Sequence, residues 1–298
     1  MRLGIFISEL VKVMNGKPLD ELNNAEIEDA ISKAVRVMKH YGLNCGELSV
    51  KELSTLEKVV KVTSRISNFD FLLHELGQYS GTKLSLANEE KRKEVIEGLK
   101  TTIDYASDGG IRVITIHPAT YNPKEPGYAY SEILPEYLEA KDAWSTSISL
   151  LKKISSYASK KDVTLGLENM PFTVLYKDAI LKCPHFGITK EQLLKLISDV
   201  NNSALRVTFD VGHANTISQP CDYISGMVKF ITHIHLHDND GRYDQHAPLG
   251  TGTVNLYFFF RRLKEESYDE SIVVERAVDE ALFNDLEVLK RYVNEAFK

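Results

Sequence analysis

Cysteine is scarce, and what there is forms no recognisable pattern. Cys45, Cys183 and Cys221 are odd in number, far apart and without a Cys-x-x-Cys pair, so neither a disulfide framework nor a thiolate metal site is indicated. They read as buried free thiols. No apolar run approaches membrane-spanning length, and Met1-Arg-Leu-Gly-Ile-Phe-Ile7 is too short for a signal peptide. The expectation is a cytoplasmic protein with no membrane partner. Positive charge is not in excess either: 36 Lys and Arg against 42 Asp and Glu give a net charge of −6. That argues against a broadly basic surface coating nucleic acid, while leaving a local basic groove open. Nucleotide-binding signatures are missing too, since neither Gly-x-Gly-x-x-Gly nor Gly-x-x-x-x-Gly-Lys-Ser/Thr follows any apolar run.

What is present is enough for a large core: 298 residues, 43% hydrophobic and 26% charged. Short apolar runs alternate with segments of helical periodicity along the whole chain. Strands are predicted over 3–7, 45–50, 69–74, 112–117, 164–169, 205–210, 231–238 and 271–275. Helices are predicted over 25–41, 55–66, 88–106, 132–160, 189–200, 223–229, 256–267 and 280–297, with long loops over 121–130, 172–187 and 239–253. Eight such units with strands apolar enough for burial on both faces predict an α/β fold, a (β/α)8 TIM barrel, as one domain over 1–298. A homo-oligomer is compatible with this reading.

The ends of those strands carry the chemistry. His74, His117, Glu168, Asp210, His235 and Glu275 fall at or near the ends of the third to eighth strands, where a barrel gathers its active site. His213, Asp244 and His246 lie just beyond, making nine His, Asp and Glu side chains, enough for up to three divalent ions. A lone strand-end histidine is ordinarily structural, and a lone carboxylate is ordinarily a helix cap, but six in register at one end are not explained that way. In His233-Ile-His-Leu-His-Asp238 the alternate histidines share a face. One ion needs only His235, so His233 is expected to be deeper, hydrogen-bonded structure and His237 to face the mouth. Arg242 and Arg276 are the cations nearest the mouth; either binds a substrate anion or pairs with a carboxylate. Tyr121, Tyr128 and Tyr130 either line a lid or pack their own loop.

Leu167-Glu-Asn169, Phe209-Asp-Val-Gly-His-Ala214, His233-Ile-His-Leu-His-Asp238, Asp244-Gln-His-Ala-Pro-Leu-Gly-Thr-Gly252 and Val274-Glu275 resemble, in order and spacing, the xylose isomerase-like TIM-barrel superfamily. That group holds sugar and sugar-phosphate isomerases and epimerases, and the endonuclease IV type of AP endonuclease. The epimerase resemblance implies one divalent ion, often manganese, on Glu168, Asp210, His235 and Glu275. It also implies proton transfer by the two glutamates and a sugar contact from His213. The endonuclease resemblance implies three zinc ions on all nine positions. This chain departs from the endonuclease at Asp210-Val-Gly-His213 in place of Asp-Thr-Cys-His, at His237-Asp-Asn-Asp240 in place of Asn-Asp-Ser-Lys, in a shorter loop before Asp244, and at Gly77 in place of a DNA-inserting tyrosine.

The leading expectation is therefore a metal-dependent sugar or sugar-phosphate isomerase or epimerase using manganese, zinc, magnesium or cobalt. Glu168 and Glu275 would be the acid–base pair, with His117, His213 and Arg242 on the substrate. The alternative is a zinc-dependent AP endonuclease acting on abasic DNA, which would need up to three ions.

Overall fold

The computed structural model describes residues 1–297. In chain order the strands are β1 (Arg2–Phe6), β2 (Cys45–Leu48), β3 (Asp70–His74), β4 (Val113–Ile116), β5 (Thr164–Glu168), β6 (Thr173–Tyr176), β7 (Ala179–Lys182), β8 (Leu205–Asp210), β9 (Ile231–Leu236) and β10 (Ser271–Val274). Eight of them form a closed barrel in the order β1-β10-β9-β8-β5-β4-β3-β2, and β6 and β7 make a separate antiparallel hairpin. Every barrel pairing is parallel, and closure comes from Arg2 opposite Ser271 on one side of β1 and Gly4 opposite Cys45 on the other.

The helices are α1 (Ile7–Asn15), α2 (Asn24–His40), α3 (Leu53–Thr63), α4 (Glu89–Asp108), α5 (Ala140–Lys160), α6 (Lys190–Val200), α7 (Val211–Asn215), α8 (Pro220–Tyr223), α9 (Leu256–Glu265) and α10 (Ala281–Phe297). The longer ones follow the expected logic of an apolar stripe with a capped start. In α2, Ile27, Ala30, Ile31, Ala34, Val35 and Met38 recur at three- and four-residue steps and are buried. Its start is a capping box: the Asn23 side chain accepts from Glu26 N at 3.1 Å, and the Glu26 carboxylate accepts from Asn23 N at 2.8 Å. No helix among the described residues is long and apolar enough to cross a membrane.

Two apolar layers result. The larger lies between strands and helices; the smaller, Phe6, Cys45, Leu72, Val113 and Val273, fills the barrel interior. Above it the lining turns polar. Thr115 and Thr208, on the two strands that flank β5, meet Oγ1 to Oγ1 at 3.1 Å. Gly166 allows that approach, because a Cβ there would run into Thr208 Oγ1. These residues stand two positions before His117, Asp210 and Glu168, which sets the phase of the strand ends.

Four local expectations are corrected. Ile7 begins α1 rather than ending a strand: Ile7, Leu10 and Val11 bury one helical face, and Gly16, at φ +70°, stops it. The helix expected over 132–160 starts at Ala140, since Leu134–Glu136 with its proline forms only a 3₁₀ turn. The helix expected over 223–229 is split into α8 and a 3₁₀ turn, Val228–Phe230, by Gly226 at φ +75°. The loop expected over 172–187 contains the β6–β7 hairpin. Tyr121 stacks on Phe186 with centroids 4.9 Å apart and Tyr130 meets Tyr176 at 4.8 Å, so these tyrosines pack the loops around the mouth.

Candidate metal centre

The nine candidate side chains, joined by His237, converge at the C-terminal end of the barrel in three adjoining groups. Glu168, Asp210, His235 and Glu275 form one, His74, His117 and Glu168 a second, and His213, His237, Asp244 and His246 a third. Within each group the ligand-type atoms lie within 4.8 Å of one another. His235 is the hinge of the first: its Nδ1 is 2.7 Å from Glu275 Oε2, 3.4 Å from Glu168 Oε1 and 3.9 Å from Asp210 Oδ2. Glu168 joins the first group to the second, with Oε2 lying 3.1 Å from His117 Nε2 and 3.7 Å from His74 Nε2.

Local chain geometry holds these atoms in place. Asn169 clamps the ends of β5 and β8: its amide donates to Asp210 O at 2.9 Å and its Oδ1 accepts from Asp210 N at 2.8 Å. Asp210 caps α7 by accepting from His213 N at 2.6 Å, so it has both the capping part weighed from the sequence and a place in the ligand group. The His213 ring is anchored through Nδ1 to Asn169 O at 2.8 Å, and its Nε2 faces Asp244 Oδ2 at 3.4 Å. His246, held in the left-handed region at φ +47°, donates from Nδ1 to Glu275 O at 2.8 Å and aims Nε2 at Asp244 Oδ2, 3.2 Å away.

The loop bearing Asp244 and His246 is organised by Asp238, whose carboxylate accepts from the backbone N–H groups of Asn239, Gly250, Gly252 and Val254 at 2.9–3.1 Å. Gly252 is required there, because a Cβ would strike Asn239 O and Asp238 Oδ1. From the other side the β6–β7 hairpin braces the loop, with Thr173 O accepting from Asp244 N at 3.2 Å.

Among the described residues, each group contains a buried carboxylate oxygen with no hydrogen-bond partner: Glu275 Oε2, Glu168 Oε2 and Asp244 Oδ1. Glu275 Oε2 is near His235 Nδ1 but off the hydrogen-bonding direction. Buried acceptors are costly to leave unmatched, and carboxylate oxygen with imidazole nitrogen is the donor set of zinc, manganese and related divalent ions. The residues therefore fit such ions. Electrostatics points the same way. Burial raises the Glu168 and Glu275 carboxyls, but the surrounding histidines together outweigh it, His235 with His117 and His74 holding Glu168 well below the usual range and His235 with His246 holding Glu275 down to about 2. Burial lowers His117 and His246, yet Glu75 and Glu168 push the first up to about 10, and Asp244 and Glu275 the second up to about 10. Without metal, the imidazoliums serve as counter-ions to the carboxylates.

A family model described as a xylose isomerase-like TIM barrel matches residues 28–292. The chain belongs to the xylose isomerase-like TIM-barrel family. Uncharacterized protein MJ1311 of Methanocaldococcus jannaschii is 32% identical over 209 residues, 69% of this chain and 64% of that relative, so the match takes in a little under two thirds of the relative's length. Uncharacterized protein MJ1614 of the same organism is 22% identical over 240 residues, 80% of this chain and 82% of its own. Among solved structures, a D-tagatose 3-epimerase-like protein superposes with a TM-score of 0.75 at 23% identity, covering 100% of both chains. The 3-keto-D-glucoside 4-epimerase of E. coli gives 0.70 at 15% identity over 99% of both. At these identities the likeness is one of fold.

Within this xylose isomerase-like barrel, all the sequence-predicted site residues come together except Arg242. Its side chain is 68% exposed and pairs with Asp240 at 2.6 Å, outside the ring. Arg276 is buried but spoken for, with Nη1 2.8 Å from Asp279 and 3.0 Å from Asp285. His237 does face the mouth, its Nε2 3.1 Å from Asp210 Oδ1. Sequence reasoning missed Glu75 and Glu47. Glu75 takes His117 Nδ1 at 2.8 Å and Gly81 N at 2.7 Å, turning His117 Nε2 toward Glu168. Glu47 lies deeper, 2.8 Å from both His233 and His235. The available signal was a glutamate inside each of two short strand runs, Cys45-Gly-Glu-Leu48 and Phe71-Leu-Leu-His-Glu75.

Proposed function

We propose that the chain is a metal-dependent sugar isomerase or epimerase acting on a free ketose. The observation that supports this most directly is the pair of glutamates flanking Asp210 and His235: Glu168 ends β5, Glu275 follows β10, and β8 and β9 stand between them in the barrel order. A divalent ion on Glu168, Asp210, His235 and Glu275 would supply Lewis acidity, making the C–H beside a substrate carbonyl acidic. The residues supply the proton movement. Both glutamates are held ionised in the metal-free protein, so one carboxylate takes the carbon-bound proton, and the other returns one from the far side of the arc after first gaining it from solvent water. His213 orients a substrate oxygen, and His74 and His117 hold the side of Glu168 that faces away from His235. With Arg242 and Arg276 both neutralised by carboxylates, an uncharged sugar suits this mouth better than a phosphate ester.

The test is deuterium incorporation at carbon from D2O, followed by NMR, over a panel of free ketoses that includes D-tagatose, D-allulose and L-ribulose. The expected result is exchange with at least one sugar that Glu275→Gln abolishes. Full exchange by that variant would remove the assignment.

A second reading is supported by one specific observation, the unmatched carboxylate oxygen in each of three groups. Three ions would suit hydrolysis of a phosphodiester such as an abasic site in DNA. It predicts about three zinc per chain by elemental analysis and cleavage of an abasic duplex. One tightly held ion and no cleavage would exclude it.

A further inference from the structure

Beneath the ligand groups, the barrel interior holds a chain of polar side chains that, His235 apart, no step above uses. Ser271, His233, Glu47 and His235 are all fully buried. Ser271 Oγ is 2.8 Å from His233 Nδ1, His233 Nε2 is 2.8 Å from Glu47 Oε2, and the same oxygen is 2.8 Å from His235 Nε2. We propose that Glu47 is a positioning residue which, together with His233, fixes the ring of His235 so that Nδ1, and not Nε2, is its metal-ligating atom.

Donor and acceptor counting carries the argument. An ionised carboxylate only accepts, so the Nε2 atoms of His233 and His235 must both be donors to Glu47. His233 Nδ1 is then an acceptor, matched by the Ser271 hydroxyl as donor. With His233 neutral, the protons between Ser271 and the Nε2 atoms of the two rings all point at Glu47. Glu47 Oε1 has no hydrogen-bond partner among the described residues, so the hold of this carboxylate runs through Oε2 to the two rings.

With Nε2–H of His235 committed downward, Nδ1 is left facing Glu275, Glu168 and Asp210, and an ion there takes the place of the Nδ1 proton. Phe6 packs edge-on against the His235 ring at 5.5 Å. A carboxylate behind a ligating histidine raises its basicity and fixes its tautomer. Here His233 shares that carboxylate, orienting it and limiting its freedom to swing.

This inference rests on reading the four-residue group as a metal site, and on nothing about the substrate. It is tested by NMR of protein labelled with 15N-histidine, with the His235 signals assigned by their loss in His235→Gln, during titration with Zn2+. The expected result is a metal-bound shift at His235 Nδ1 with Nε2 protonated, and His233 protonated at Nε2 throughout. Zinc on His235 Nε2 would overturn the proposal while sparing the metal site. No zinc-dependent shift at His235 would overturn both. As a second arm, Glu47→Gln keeps the shape and one acceptor but loses the charge. Zn2+ affinity by chelator competition should fall roughly 10–100-fold, with the metal-free melting temperature as a control for folding. Unchanged affinity would overturn the proposal, and if the variant does not fold, the wild-type spectrum decides.

Discussion

Glu168 and His117 meet at 3.1 Å, Oε2 to Nε2, while the other oxygen of the same carboxylate faces His235. One side chain thus belongs to two ligand groups, and in the group of His74 and His117 it is the carboxylate that faces His117 Nε2, Glu75 being taken up by Nδ1 of the same ring. Glu168→Gln should therefore deplete two groups, and Glu275→Gln only one. Elemental analysis of both variants after reloading with zinc checks this, with the larger metal deficit expected for Glu168→Gln.

Replacing Glu275 bears on proton transfer as well as binding. If it acts as acid or base, Glu275→Gln should lower turnover of a responsive sugar by about 10²–10⁴-fold. Steady-state rates measured with saturating metal separate that loss from poorer metal binding.

Metal affinity should rise with pH. His117 and His246 are raised to about 10 in the metal-free protein, and an ion binds only the deprotonated ring, so loading releases protons. The same shifts act on metal-free stability. A histidine raised from 6.5 toward 10 contributes stability that is complete below 6.5 and lost as pH climbs through 10. Glu275, lowered from 4.5 to about 2, contributes stability present above 4.5 and lost as pH falls through 2. Chelated protein should thus melt highest near mildly acidic pH and less well toward pH 10, whereas zinc-loaded protein should keep its melting temperature on the alkaline side. Thermal melts across that range, with and without chelator, give both curves.

Gly252→Ala places a methyl against Asn239 O and Asp238 Oδ1. The clash should cost about 1–3 kcal/mol and shift the loop that carries Asp244 and His246, weakening the third ligand group while sparing the first. Chemical denaturation and metal counting on the purified variant test the two halves of that statement.

Much of this was legible in the sequence because a strand has a period of two and a barrel collects strand ends. Thr115 and His117, Gly166 and Glu168, and Thr208 and Asp210 each fall two apart and share an inward face. Arg242 misled because closeness along the chain to Asp244 says nothing about direction: the turn that closes on Asp240 sends its side chain outward. Glu47 was hidden for a different reason. It sits in the middle of β2, within an apolar run, where a lone glutamate carries no periodic signature, and its partners lie 186 and 188 residues away in the chain. Only closure of the ring brings them together. The hairpin of β6 and β7 was obscured by its turn, Lys177 and Asp178, which adopts positive φ without glycine.

The carboxylate of Asp238 also says how this barrel tolerates change. The segment it gathers leaves β9 and rejoins the path to α9 on a single side chain, so the stretch between is a closed cassette with both ends pinned. Lengthening such a cassette costs closure entropy that grows only with the logarithm of its size. Residues between Asn239 and Leu249 other than Asp244 and His246 can thus be exchanged or extended while the strand before and the helix after stay in register. In a barrel of this design, new substrate preferences would be acquired in that cassette, with the strand-end ligands left untouched.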